Sequence, residues 1–164
     1  MLIKGRVWKY GDNVNTDQIF PGKYTYTITD PVEMAAHAME DIDPEFAKGV
    51  RKGDIVVAGR NFGCGSSREQ AVTALKYAGI AAVVAESFAR IYYRNLINSG
   101  LPAIICPGVS KEVEKGDEII IDFNEGTIKF KDRVFVFPPL LPKMQEILQA
   151  GGLIPYIKAQ LKKG

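Results

Sequence analysis

The sequence predicts an α/β fold: a mainly parallel sheet flanked by helices, with a C-terminal antiparallel β meander and terminal helices. Two observations carry this. Residues 54 to 106 read strand, helix, strand, helix, strand, and strands that are apolar throughout suit a parallel sheet covered on both faces. From Gly116 the texture changes to short strands broken by Asn124-Glu125-Gly126 and Lys131-Asp132, the pattern of an antiparallel meander. With 164 residues, 46% of them apolar, the chain has the size and composition to close one core, so residues 1–164 are read as a single domain.

Met1 to Tyr10 reads as a strand that enters a loop at Gly11-Asp12-Asn13, with Trp8 adding β propensity. Asn13-Val14-Asn15-Thr16-Asp17 is dense in side chains that bond their own backbone, which predicts a shaped loop ending in a short helical turn capped by Thr16 or Asp17. Pro21 to Asp30 is too β-branched and aromatic for a helix and too polar for a core strand, so it is read as a loop. Asp30-Pro31 opens a helix with proline at its first position, and Asp43-Pro44-Glu45 begins another short helical piece. Asp54 to Ala58 is the first apolar strand of the alternating region, and the following helix starts at Ser67 and runs through Ala71, Ala74, Leu75 and Ala78. Ile80 to Ala85 is the next strand. Ser87 is read as the cap of a helix that presents Ile91, Leu96 and Ile97 on one face and ends at Gly100. Pro102 to Cys106 is the third apolar run. The meander takes Glu118 to Phe123, Thr127 to Phe130 and Arg133 to Phe137, before helices from Lys143 to Ala150 and on to Leu161.

The stretch with chemistry in it is Gly59-Arg60-Asn61-Phe62-Gly63-Cys64-Gly65-Ser66-Ser67-Arg68-Glu69, between a strand and a helix. Ser66 and Glu69 stand three apart, a capping-box spacing. A helix N-terminus after a glycine-rich turn also favours a bound anion, and Arg68 adds a fork shaped for a carboxylate. A cation at that end of a helix is disfavoured by the dipole unless an anion joins it. The spacing by itself allows both a plain cap and an anion site. A dinucleotide fingerprint is a third reading, with Glu86 about 20 residues on as its acidic residue, but Arg68 stands where the third glycine belongs.

Three segments together resemble the swivel domain of the aconitase superfamily. They are Gly59-x-Asn61-x-Gly63-x-Gly65-Ser66-Ser67-Arg68-Glu69, then Glu86-Ser87-Phe88-Ala89-Arg90-Ile91, and before both Asn15-Thr16-Asp17-Gln18-Ile19. They cover most of residues 12 to 106 in the family's order, and a chain of this length most resembles the separate small subunits of the isopropylmalate and homoaconitate branch. The resemblance implies a β/β/α swivel-like fold and a hydro-lyase reaction, a reversible dehydration and rehydration of a malate-type acid, in leucine biosynthesis for isopropylmalate. It assigns the base to Ser66 and the carboxylate grip to Arg68, with Ser67, Gly65 and Thr16 in contact range and Asp17 lining the catalytic pocket. It implies that the loop after Asp17 reads the substrate's side group. No Lys or Arg occurs between Tyr24 and Ala47, so Tyr24, Tyr26 and Ile28 favour an isopropyl group over homoaconitate's extra carboxylate, while Lys23 at the loop's edge keeps homoaconitate or dual specificity open.

The family's [4Fe-4S] cluster needs three cysteines, and this chain has two, Cys64 and Cys106, 42 apart. The resemblance therefore implies no metal or cofactor in this chain, a cluster-bearing large subunit as partner, and inactivity of the isolated chain. Cys64 and His37 are read as packing or surface residues. A face meant for the large subunit would be bare in the isolated chain, so self-association is expected. The net charge of +2 with no long basic run gives no footprint for nucleic acid, and no leader or membrane span is read, so the expected location is the cytoplasm. A free-standing binding module for a small carboxylate is the non-enzymatic alternative.

Overall fold

The computed structural model describes residues 1–163. The strands β1 (Leu2–Lys9), β2 (Ile55–Ala58), β3 (Ala82–Ala85), β4 (Ala103–Ile105), β5 (Glu118–Asp122), β6 (Thr127–Phe130) and β7 (Arg133–Val136) form one sheet. Its order is β4-β3-β2-β1-β5-β6-β7. β4, β3, β2 and β1 pair in parallel, and β1, β5, β6 and β7 pair antiparallel. β1 is thus the seam between the two halves that the sequence texture separates. It sets Val7 opposite Ile55 on one side and Ile3 opposite Ile121 on the other.

The period of two along the strands divides the core into two layers. From β2 and β3, Val56, Ala58, Val83 and Ala85 join Trp8 in one cluster, while Ile55, Val57, Ala82 and Val84 join Val7 in the other. The first layer is closed by helices: α1 (Thr16–Ile19), α2 (Pro31–Ala36), α3 (Phe46–Gly49), α4 (Gln70–Tyr77), α5 (Arg90–Asn98) and α7 (Pro142–Ala150) all contribute to it or pack against it. The second layer holds Ile119, Ile121, Ile128 and Phe137 together with Ile104 of β4, so the meander folds back over the parallel half. At its far end the Cys106 Sγ lies 3.8 Å from the Val136 carbonyl, and burial pushes that thiol up to about 11. The final helix α8 (Leu153–Lys163) packs Leu153 and Tyr156 inward and buries no residue completely.

One local expectation is corrected, and one element is added. Ser87 does not cap α5; its Oγ accepts the Asn61 N–H at 2.8 Å, and the residue before the helix is Ala89, without a side-chain cap. A short helix that the sequence did not reveal, α6 (Val109–Glu112), follows β4. Its start is fixed by Glu86, whose Oε1 accepts from the Gly108 N–H at 2.9 Å and from the Ser110 hydroxyl at 2.8 Å. Four residues carry too little periodicity to be read without that tertiary anchor.

Among the described residues the one buried carboxylate is Asp54, just before β2. Its Oδ2 accepts from Trp8 Nε1 at 2.8 Å, Arg6 Nη2 at 2.9 Å and the Arg51 N–H at 2.8 Å. Burial works to raise its pKa, but these donors outweigh burial and hold it below the ordinary carboxylate value. A lowered folded-state pKa means that Asp54 contributes stability above the unfolded value, about pH 4, and loses that contribution as pH falls toward its folded pKa. Asp54→Asn is expected to lower the melting temperature at pH 7 and to flatten its fall between about pH 5 and 2. An unchanged acid limb in the variant would assign the acid sensitivity to other groups.

Candidate active site

The three motif segments, far apart in the chain, are tied to one another through the backbone. The Asn13 N–H donates to the Arg60 carbonyl at 2.8 Å, Gly63 N–H to Val14 at 2.7 Å, and Thr16 N–H to Cys64 at 2.9 Å. On the other side Phe62 N–H donates to Ser87 at 3.1 Å and Ala89 N–H to Phe62 at 2.9 Å. Asn13 and Asn61 both sit at positive φ, 57° and 59°, and Asn61 Nδ2 donates to Asn13 Oδ1 at 3.1 Å. Asparagine tolerates that region better than most residues. The loop of residues 59–69 is therefore clamped between the other two at the carboxyl end of β2, where open α/β sheets bind ligands.

Within the clamp, α1 is capped by Asn15, with Gln18 completing a reciprocal capping box. This box corrects the expectation that Thr16 or Asp17 is the cap. It frees Thr16, 2% exposed, to donate its Oγ1 to the Ser66 carbonyl at 2.7 Å. That bond has a consequence for the next helix. In a helix starting at residue 67, the Ser66 carbonyl would accept the N–H of Gln70; it accepts the Thr16 hydroxyl, and α4 begins three residues later than expected. The Ser66 and Glu69 capping box does not form, and α4 starts without a side-chain cap. Ser66 and Ser67 are exposed in the loop before α4.

Arg68 turns back from that loop. Its Nη1 donates to Asp17 Oδ1 at 2.8 Å and to the Phe20 carbonyl at 2.6 Å, and its Nη2 donates to Thr25 Oγ1 at 2.8 Å. The guanidinium also lies 5.6 Å from the centroid of the Phe20 ring. The Asp17 carboxylate is 72% exposed, so the ion pair alone is worth little, but the guanidinium is only 11% exposed and the three acceptors fix its plane. Nε–H and one hydrogen of Nη2 have no acceptor among the described residues. A carboxylate can take them.

Arg68 borders a depression of about 770 Å³, within the range of small-molecule sites. Asp17, Ser66, Ser67 and Arg68 line one part of it, and Tyr26, Ile28 and Met34 give it an apolar wall. A second depression of about 250 Å³ adjoins it through Ser67 and takes in Thr16, Gly65 and Arg90. Of the residues assigned above to catalysis, substrate contact or the reading of the side group, Tyr24 alone lines neither. Its hydroxyl donates to Glu40 Oε2 at 2.9 Å and its ring packs at a tilt against His37, centroids 4.3 Å apart, so it anchors the loop. His37 Nδ1 lies 2.8 Å from the other Glu40 oxygen, and this bond does most to hold that carboxyl below its ordinary value. Lys23 is drawn to the same carboxylate, at 3.9 Å.

The residues that sequence reasoning missed are Thr25, Gln70 and Thr73. Thr25 was hidden between two tyrosines, and its carbonyl also accepts Gln70 Nε2 at 3.3 Å. Gln70 and Thr73, three apart on α4, face the depression together, a spacing that was readable. Glu86 is occupied with α6, which removes the acidic residue that a dinucleotide site requires. Among the described residues no three His, Cys, Asp or Glu side chains come together as a metal site, and neither Cys64, half-buried, nor the buried Cys106 has a second thiol. The chain's own residues do not fit an iron-sulfur cluster.

A Thr-Asp turn locked against a Gly-Ser-Ser-Arg loop, on this sheet, defines a class, and the chain belongs to it: the aconitase C-terminal domain family, whose profile matches residues 11–107. Relatives over the full length narrow the likeness. The chain is 54% identical over 164 residues to the "3-isopropylmalate dehydratase small subunit" of Halothermothrix orenii, covering 99% of each. It is 52% identical to the "isopropylmalate/citramalate isomerase small subunit" of Methanocaldococcus jannaschii, covering 98% of this chain and 96% of that one. The crystal structure of a 3-isopropylmalate dehydratase chain from the latter organism superposes with a TM-score of 0.93 at 50% identity, covering all of both chains.

Proposed function

We propose that this chain is the small subunit of a 3-isopropylmalate dehydratase, one swivel-like domain that interconverts 2- and 3-isopropylmalate in leucine biosynthesis together with a large subunit. Full-length relatives of that name support the reading. The observation that carries the choice of substrate is the lining of the larger depression, where among the described residues Arg68 is the one cation and Tyr26, Ile28 and Met34 are the apolar wall. Burying an isopropyl group against such a wall gains roughly 2 kcal/mol, whereas a further carboxylate would face Asp17 and Glu69. Lys23, held at Glu40, does not line the depression. The name of one relative favours methylmalate as a second substrate.

Dehydration removes a proton from the carbon beside a carboxylate and hydroxide from its neighbour; rehydration returns them with the positions exchanged. In this reading Ser66 Oγ takes and returns the proton, and the free N–H groups of Arg68 hold the carboxylate that conjugates with the reacting carbon. Asp17, Thr25 and the Phe20 carbonyl orient that arginine. A serine hydroxyl is a weak base, so its charge has to be stabilised by Arg68 and by backbone donors in a site from which water is excluded. Ser66 and Ser67 are exposed, and in this reading the surface that covers them and the [4Fe-4S] cluster are supplied by the large subunit. Two unpaired cysteines suit the reducing cytoplasm.

The test is co-expression with a cluster-bearing large subunit, anaerobic reconstitution, and assay of isopropylmalate, citramalate and homoaconitate. Turnover of isopropylmalate by the mixture and not by either part is the expected result; turnover of homoaconitate alone would overturn the reading of the loop. Thr25 gives a finer prediction. Thr25→Val removes one acceptor of Arg68, with an expected cost of roughly 1 to 2 kcal/mol, seen as about a 5- to 30-fold rise in KM with a smaller change in kcat. Thr25→Ser should restore KM. Equal KM values in all three proteins would show that Arg68 needs no help from the loop.

A further inference from the structure

Three depressions meet around the start of α4. The larger and smaller parts of the candidate site share Ser67, and a third depression, about 510 Å³, shares Glu69 and Thr73 with the larger and Asn95 with the smaller. Each is rimmed by a large apolar side chain that the fold leaves in water: Tyr26, 94% exposed, on the first; Ile91, 58%, on the second; Tyr77, 54%, and Ile154, 67%, on the third. Ile157 and Leu161, also exposed, continue from Ile154 at spacings of three and four along α8, while Leu153 and Tyr156 take the inward positions. A set of apolar groups of this kind around polar depressions marks a surface made to be covered.

We propose that this face, from Tyr26 and Ile91 across Tyr77 to the Ile154, Ile157 and Leu161 stripe of α8, is where the cluster-bearing large subunit docks. The inference rests on the reading of the chain as a small subunit and extends it from a partner to a place. Continuity with the site selects the occupant. Ser66 is exposed, and in the proposed function the groups that complete its chemistry come from the large subunit, so that partner has to close over Ser66 and Ser67. A protein surface that does so lies against all three depressions, because they adjoin pairwise. The apolar residues of the β7 edge, Val134 and Val136, border none of the three and fall outside the proposed interface.

Tyr77 and Ile154 are exposed and outside the catalytic machinery, so Tyr77→Asp and Ile154→Glu test the face without entering the site. With the whole chain and the reconstituted large subunit, each variant is expected to raise the dissociation constant at least tenfold and to keep the wild-type kcat at saturating large subunit. Val134→Lys is expected to change neither. Hydrogen exchange on the wild-type complex provides a measurement free of substitutions: amides of α4 and α8 should be slowed by the large subunit and those of β7 should not. Dissociation constants within twofold of wild type for both variants, or protection confined to β7, would overturn the placement while leaving the small-subunit reading intact. A wild-type chain that binds no large subunit would overturn both.

Discussion

Ser66→Ala is expected to lower kcat of the reconstituted enzyme by about 10² to 10⁴, the span attributed to a positioned proton-transfer group, with little change in KM. The fold should not notice. The Ser66 side chain is exposed, so its removal leaves no cavity, and the backbone is held through its carbonyl by Thr16, which the substitution does not touch. The thermal midpoint should stay within the range of an ordinary surface change, about 0.5 kcal/mol. Loss of turnover with unchanged melting and unchanged association with the large subunit is the combination that assigns Ser66 to the proton transfer. An active Ser66→Ala enzyme would send the search for the base to the large subunit.

Gly63→Ala is expected to do the reverse, destabilising the fold and lowering the activity with it. Gly63 sits at φ +84°, and an added Cβ would run into the Tyr92 ring. Tyr92 cannot withdraw. It is 2% exposed, it packs edge-on against Phe62, and its hydroxyl donates to the Ala71 carbonyl at 2.9 Å, which joins α5 to α4. Left-handed backbone costs a non-glycine residue roughly 1 to 2 kcal/mol and overpacking a tight core adds about 1 to 3. Their sum is a large part of the about 5 to 15 kcal/mol that holds a typical domain together. Chemical denaturation should show a loss of about 2 to 5 kcal/mol or failure to accumulate folded protein. A variant as stable as wild type would mean that α5 can shift away from the loop.

The parts of the fold that were legible in the sequence are those encoded by neighbours in the chain. Ile55 to Ala58 and Ala82 to Ala85 stood out as strands because they are buried on both faces and so apolar throughout, and Ala103 to Ile105 because it is a short apolar run, although Ile105 at its end is exposed. The meander was legible from its turns, where Gly126 and Lys131 take positive φ. What was not legible depends on bonds between distant residues. The late start of α4 follows from the Thr16 hydroxyl, 50 residues away, and Ser87 serves Asn61 rather than its own helix. At the site the same division holds. The Ser66, Ser67 and Arg68 cluster could be read as one loop, but Tyr24 and Thr25 exchange the parts that a list of apolar residues suggests: the tyrosine props the loop and the threonine holds the arginine.

The position of β1 between the two halves of the sheet also sets an order of assembly. It is made before every other strand, and its pairing with β2 waits only for residue 55, whereas Leu2 meets Asp122. On the ribosome the parallel half can therefore collapse while β5 is still being translated, with one side of β1 open as an unpaired edge and the underside of β2 and β3 wet. Contacts of such long range slow folding. The meander then serves as a seal, and the interval before it closes is the period in which this chain is most exposed to aggregation.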